Sequence, residues 1–154
     1  MLDHSFAISE LNRKLANIIR IGVVKEIDYE KAKVRVKIGD IVTDYLPWIT
    51  SKAGKDRDWS PPDIDEQVVV FSSLGELSLG VVLPGIYQEK YPALENKKEI
   101  NSIKFQDGTK FTYDKEKHHL GIEVVDKIIL KAGGSSIEMT KSGIKLKAER
   151  IDLN

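Results

Sequence analysis

Cysteine is absent from this 154-residue chain. That excludes a disulfide framework, a thiolate nucleophile and a zinc-finger ligand set, so stability has to come from packing or assembly. Charge of one sign is missing too. The chain's 24 Lys and Arg balance its 24 Asp and Glu, whereas a nucleic-acid-binding domain ordinarily carries a basic excess on one face. No apolar run has the length needed to span a bilayer. The N-terminal stretch MLDHSFAISELNRKL carries acidic and polar residues where a signal peptide would place its apolar core. Synthesis and folding in a cytoplasm are therefore expected.

Motifs that carry chemistry are scarce as well. Gly133-Gly134 lies inside a strand pattern and lacks the lysine context of a phosphate-binding loop. No serine sits in a nucleophile elbow. Asp63, Asp65 and Glu66 cluster in a polar segment, and nothing sets two of them across a pocket. Histidine occurs only at His4, His118 and His119. An assembly of several chains would gather the adjacent pair at one level, which suggests a metal. Neighbours on a strand point to opposite faces, however, and a turn after Lys115-Glu116-Lys117 is the simpler setting. The expectation is no catalytic residue, no metal and no cofactor.

What is present is alternation. Ile103 to Asn154 places apolar residues at every second position in short bursts: Phe111 and Tyr113; Leu120, Ile122 and Val124; Ile128 and Leu130. The pattern continues with Ile137 and Met139, Ile144 and Leu146, Ile151 and Leu153. Each burst reads as a strand with one apolar face, and Asp-Gly, Gly-Gly, Ser-Gly or charged pairs separate them. No helix is available to cover these faces. Repeats of this kind bury themselves by stacking or by pairing with other copies, so residues 103–154 read as a β-helix built by several chains together.

Ahead of it the chain reads as all-β with a short N-terminal helix, residues 1–20. Ile8, Leu11, Leu15, Ile18 and Ile19 form a narrow apolar stripe, with Ser5 and Ser9 as N-cap candidates and Gly22 as a stop. That stripe either packs on its own domain or docks on another subunit. Residues 21–86 read as strands: Ile21 to Asp28, Lys33 to Ile38, about Val42 to Ile49, Gln67 to Phe71, and Leu77 to Val82 after a Gly75-Glu76 hairpin turn. Leu83-Pro84-Gly85 is expected to end the unit. Five strands with a long polar loop (Ser51 to Glu66) before the fourth suit an OB-fold-type barrel, with an SH3-like barrel as the alternative. Trp48 and Trp59 are expected to be packing anchors, Trp59 tucked back against the body. The competing reading makes them stacking platforms for single-stranded nucleic acid beside Lys52, Lys55 and Arg57, but Asp56 and Asp58 interrupt that charge. Residues 87–102 are charged, contain Pro92 and read as a linker.

The runs ELNRKLANIIRIGVV, KVRVKIGDIVTDYLPWIT, AGKDRDWSPP, DEQVVVFS, GVVLPGIY and AERIDLN resemble the phage baseplate assembly protein V family, the central spike of contractile phage tails. More distantly they resemble type VI secretion spike proteins. The resemblance implies an OB-fold domain followed by an intertwined trimeric β-helix. It implies a passive homotrimer that caps the tail tube, partners tail hub and baseplate proteins, and is pushed transiently through the host envelope. The implied location is the virion tail baseplate, assembled in the host cytoplasm. In such a trimer Ile128, Leu130, Ile137, Met139, Ile144, Leu146, Ile151 and Leu153 would line the threefold core. Family members with their own pointed tip bind a metal through a C-terminal His-x-His motif, and this chain has no histidine after His119. The expectation is a separate tip protein, similar to Pro-Ala-Ala-Arg (PAAR-like) repeat tips, seated on Arg150, Ile151, Asp152, Leu153 and Asn154. An OB-fold single-stranded nucleic-acid-binding protein is the alternative, and a cell-wall hydrolase fused to a spike ranks behind both.

Overall fold

Branched residues at alternate positions, Val34, Val36 and Ile38 on one side and Lys33, Arg35 and Lys37 on the other, make a strand with one face to bury. The computed structural model, which describes residues 4–152, builds the first sheet around that strand. The elements are α1 (His4–Asn17), β1 (Ile19–Asp28), β2 (Lys33–Ile38), β3 (Ile41–Val42), β4 (Leu46–Pro47), β5 (Gln67–Ser72) and β6 (Gly80–Ile86), with single 3-10 turns at Ser73–Gly75 and Leu77–Leu79. The strand order is β3-β2-β1-β5-β6, and β4 also pairs with β2. Trp48, directly after β4, bridges to Val82 of β6, and Ile49 N–H donates to Val82 O at 2.7 Å. The two sheet ends are thereby joined into a small barrel, which leaves few free edges.

The barrel core is Val24, Val34, Val36, Ile38, Leu46, Val68, Val70 and Val82, all essentially solvent-free. Each such side chain contributes roughly 1.5–3 kcal/mol on burial. Gly22 belongs to this packing and not to a helix stop, since the helix ends at Asn17 and Gly22 lies within β1. A Cβ there would lie 2.5 Å from Val36 Cγ1 and 2.6 Å from Lys37 O. Only bare backbone lets β1 press onto β2 at this point.

Three further expectations are corrected. The strand from Val42 to Ile49 is broken because Thr43 is buried and its Oγ1 accepts from Val36 N–H at 3.0 Å while donating to Asp44 O at 2.8 Å. A side chain has taken a ladder position there. The segment Leu77 to Leu79 is a 3-10 turn, so the last barrel strand begins at Gly80. That strand also runs through Pro84. Between the pairs Val69↔Leu83 and Gln67↔Ile86 it carries one extra residue, a bulge in which proline's missing N–H is tolerated.

The chain divides into two compact units, Met1–Pro92 and Ala93–Asn154. The segment expected to be a linker, residues 87–102, is shared between them. Gln88 Nε2 donates to Asp65 O at 2.8 Å, and Lys90 pairs with Asp65 at 3.0 Å. At the other end, Ile100 already opens a strand.

The second unit consists of β7 (Ile100–Lys104), β8 (Lys110–Asp114), β9 (His119–Glu123), β10 (Lys127–Ala132), β11 (Ser135–Thr140) and β12 (Gly143–Lys147). They form two three-stranded antiparallel meanders, β7-β8-β9 and β10-β11-β12. One chain supplies hairpins; the β-helix expected from the strand repeat requires further chains. No helix among the described residues is long and apolar enough to cross a membrane.

Candidate functional site

Directly opposed residues of an antiparallel ladder point to the same face, so register alone locates the apolar surfaces of the second unit. Across β10-β11-β12 the rows are Ile128↔Met139↔Ile144 and Leu130↔Ile137↔Leu146. Six of the residues expected in a core thus share one sheet face. They remain open in the single chain, Leu130 being 56% and Ile144 70% exposed. Leu130, Ile137 and Leu146 continue into a cavity of ≈ 370 Å³ whose lining also includes Ala148 and Ile151. Leu153, the remaining expected core residue, lies outside the described residues.

The sheet β7-β8-β9 repeats the arrangement. Ile103↔Phe111↔Ile122 form one row and Tyr113↔Leu120 the next. Phe105 meets Phe111 edge-on, with ring centroids 6.1 Å apart at 70°, a favoured geometry for an aromatic pair. These residues were visible as strand bursts but were not placed among the core candidates, although the same alternation marks both sheets. Among the described residues of the second unit none is buried.

The opposite faces are mostly polar, with Ile129 in the last sheet and Ile100 in β7-β8-β9 as exceptions. Lys127, Lys131, Ser136, Glu138, Lys145 and Lys147 share the back of the last sheet, where Lys127 and Glu138 approach to 3.5 Å. His119 stands opposite Asp114, on the face turned away from Phe111. His118 occupies the preceding turn with φ 51°. Asp114 closes that turn by accepting the N–H groups of Lys117 and Glu116 at 3.0 Å each, and the Lys117 contact is the main cause holding its carboxyl below the usual range. Register therefore sets the His119 imidazole on the face away from the apolar rows.

In the barrel, Trp48 packs against the core. Trp59 lies on it, ring centroids 5.5 Å apart and tilted by 57°, yet Trp59 is 62% exposed. It covers Trp48 more than it is covered, which corrects its expected tucked position. Lys52, Lys55 and Arg57 belong to a tight turn in which Asp58 N–H donates to Lys52 O at 3.0 Å. The barrel's outer surface also carries a patch that sequence reasoning missed: Ile19↔Phe71↔Val81 and Ile21↔Val69↔Leu83 are two apolar rows across β1-β5-β6. Its signal was the unbroken apolar runs Val68 to Phe71 of β5 and Val81 to Leu83 of β6, which place apolar side chains on both faces.

At the far end of the chain, Arg150 and Asp152 pair with each other at 2.8 Å, and both are exposed. Ile151 is exposed beside them. Asn154, like Leu153, lies outside the described residues, so the expected tip platform is only partly represented.

A barrel with a slight acidic excess thus precedes sheets whose apolar faces are unburied in the single chain. Residues 20–87 match the type VI secretion system/phage-baseplate injector OB domain. The chain is also similar to the spike protein of Escherichia phage P2, with 37% identity over 128 residues, covering 83% of this chain and 61% of that relative. Both matches support the resemblance to the phage baseplate assembly protein V family. It spans about three fifths of the length of the curated relative it matches.

Proposed function

We propose that this chain is a structural, non-enzymatic protein, the homotrimeric central spike of a contractile phage tail baseplate. It caps the tail tube and helps to pierce the host envelope as a passive rod, with tail hub and baseplate proteins as partners. The observation that carries the reading is that no described residue of the second unit is buried, beside two continuous apolar sheet faces. Such surfaces mark an interface, and three chains arranged about an axis would bury them against one another. Closure would remove lateral strand edges. At a strand spacing of about 4.8 Å, six strands stacked per chain would give a rod of roughly 30 Å.

The similarity to a phage spike protein and the injector OB match support the baseplate setting. Sheath contraction would supply the force, and this protein would transmit it. Particles assembled with an epitope-tagged chain test the role by immuno-electron microscopy. Label at the baseplate end of the tail, with tails failing to assemble when the chain is deleted, is the expected result. Purified particles free of the chain would refute it.

A further inference from the structure

Helix α1 rests on its barrel by its polar face. Glu10, Lys14 and Asn17 are its half-covered positions. Gly75 passes so close that a Cβ on it would collide with the Lys14 carbonyl. Arg13 holds Glu10 at 2.8 Å and reaches Glu76 at 3.4 Å, while Ser72 N–H donates to Ile18 O at 2.8 Å at the helix exit. Docking is thus provided without any apolar burial, and the helix has no buried residue. Its stripe points outward: Ile8, Leu11 and Leu15 are 59%, 65% and 64% exposed, and Ile18, 40% exposed, sits in the bend directly after the helix.

The spacing of that stripe indicates what covers it. Within the helix Ile8, Leu11 and Leu15 are separated by three and four residues, the a-d-a register of a heptad. A helix facing a globular core carries a broader stripe, whereas a seam restricted to a and d is that of a coiled coil. In this register the flanking e and g positions include Ala7, Asn12 and Lys14, and Lys14 has Glu10 of its own chain at 3.9 Å. Identical helices therefore meet little like-charge repulsion.

We propose that the α1 helices of three copies pack in parallel along Ile8, Leu11 and Leu15, clamping the assembly at its N-terminal unit as well as through its sheets. The inference rests on the homotrimer reading. A 14-residue helix is too short to associate well alone. Chains already joined elsewhere meet at the high effective concentration that makes a weak seam close.

The absence of cysteine permits a direct test. Leu11→Cys, and Leu15→Cys in a second preparation, each give the full chain a single thiol on the seam; Ser9→Cys places one beside it. Under mild oxidation the seam variants should form disulfide-linked pairs in a yield unchanged by tenfold dilution, and Ser9→Cys should not. Seam variants that cross-link no better than Ser9→Cys, or only in proportion to concentration, while light scattering shows a trimer, would overturn the clamp and leave the trimer standing. A monomeric mass would remove both.

Discussion

Gly22 and Asp65 show how much single positions decide in the first unit. At Gly22 the conflict is steric, because a methyl group would press on Val36 Cγ1 and the Lys37 carbonyl oxygen. Gly22→Ala should destabilise the barrel by about 1–3 kcal/mol, the usual cost of overpacking, read as a lowered urea midpoint; an unchanged midpoint would mean that β1 has room to move. Asp65 is held in the left-handed region at φ 66°, with Lys25 at 2.7 Å and Lys90 at 3.0 Å. Its hydrogen bonds to Lys25 and then to Lys90 lower its carboxyl to about 2, against an unfolded value of about 3.9. A depressed carboxylate contributes stability above the unfolded value and loses it as pH falls through the folded one. The wild type should therefore exceed Asp65→Asn in thermal midpoint at neutral pH, and the gap should close between about pH 4 and pH 2. Asparagine tolerates the same backbone conformation, so a gap independent of pH would assign the effect to something other than charge. Neither role was legible in the sequence. Gly22 reads as a helix stop because the stripe ends there, and Asp65 reads as one more acid in a loop.

Among the elements, alternation was the reliable guide. Lys33–Ile38 came directly from its pattern, and the six apolar residues of β10-β11-β12 came from theirs. Alternation failed where a side chain replaced a backbone partner, as Thr43 does, and where backbone turns consumed apolar residues, as in Leu77–Leu79. It also could not show which face of α1 meets the barrel. Tertiary docking through Gly75 and Glu76 overrides the stripe there. The last sheet offers the sharpest element-level variant. Leu146 lies opposite Ile137 and next but one to Leu130, so Leu146→Asp would set an unpaired carboxylate from each copy into the proposed apolar core. Buried unpaired charge is very costly. The trimer should be lost, while the barrel keeps a cooperative melt because its own core is separate. An unchanged mass and melt would put Leu146 in solvent.

For the whole molecule the contrast between units governs the account. The first has eight solvent-free apolar side chains, and the second has no buried residue among those described. A domain that cannot bury its apolar surface alone is completed by binding, and its stability becomes inseparable from assembly. Interlocked chains also come apart slowly, so the protein should resist dissociation in cold SDS and run as an oligomer until boiled; immediate migration as a single chain would argue against interlocking. Multi-angle light scattering on the full-length chain at micromolar concentration in native buffer bears most directly on the central claim, that the apolar sheet faces are covered by other copies. The account predicts a solution mass about three times the 17.3 kDa of one chain, unchanged on dilution. A stable monomer would contradict it.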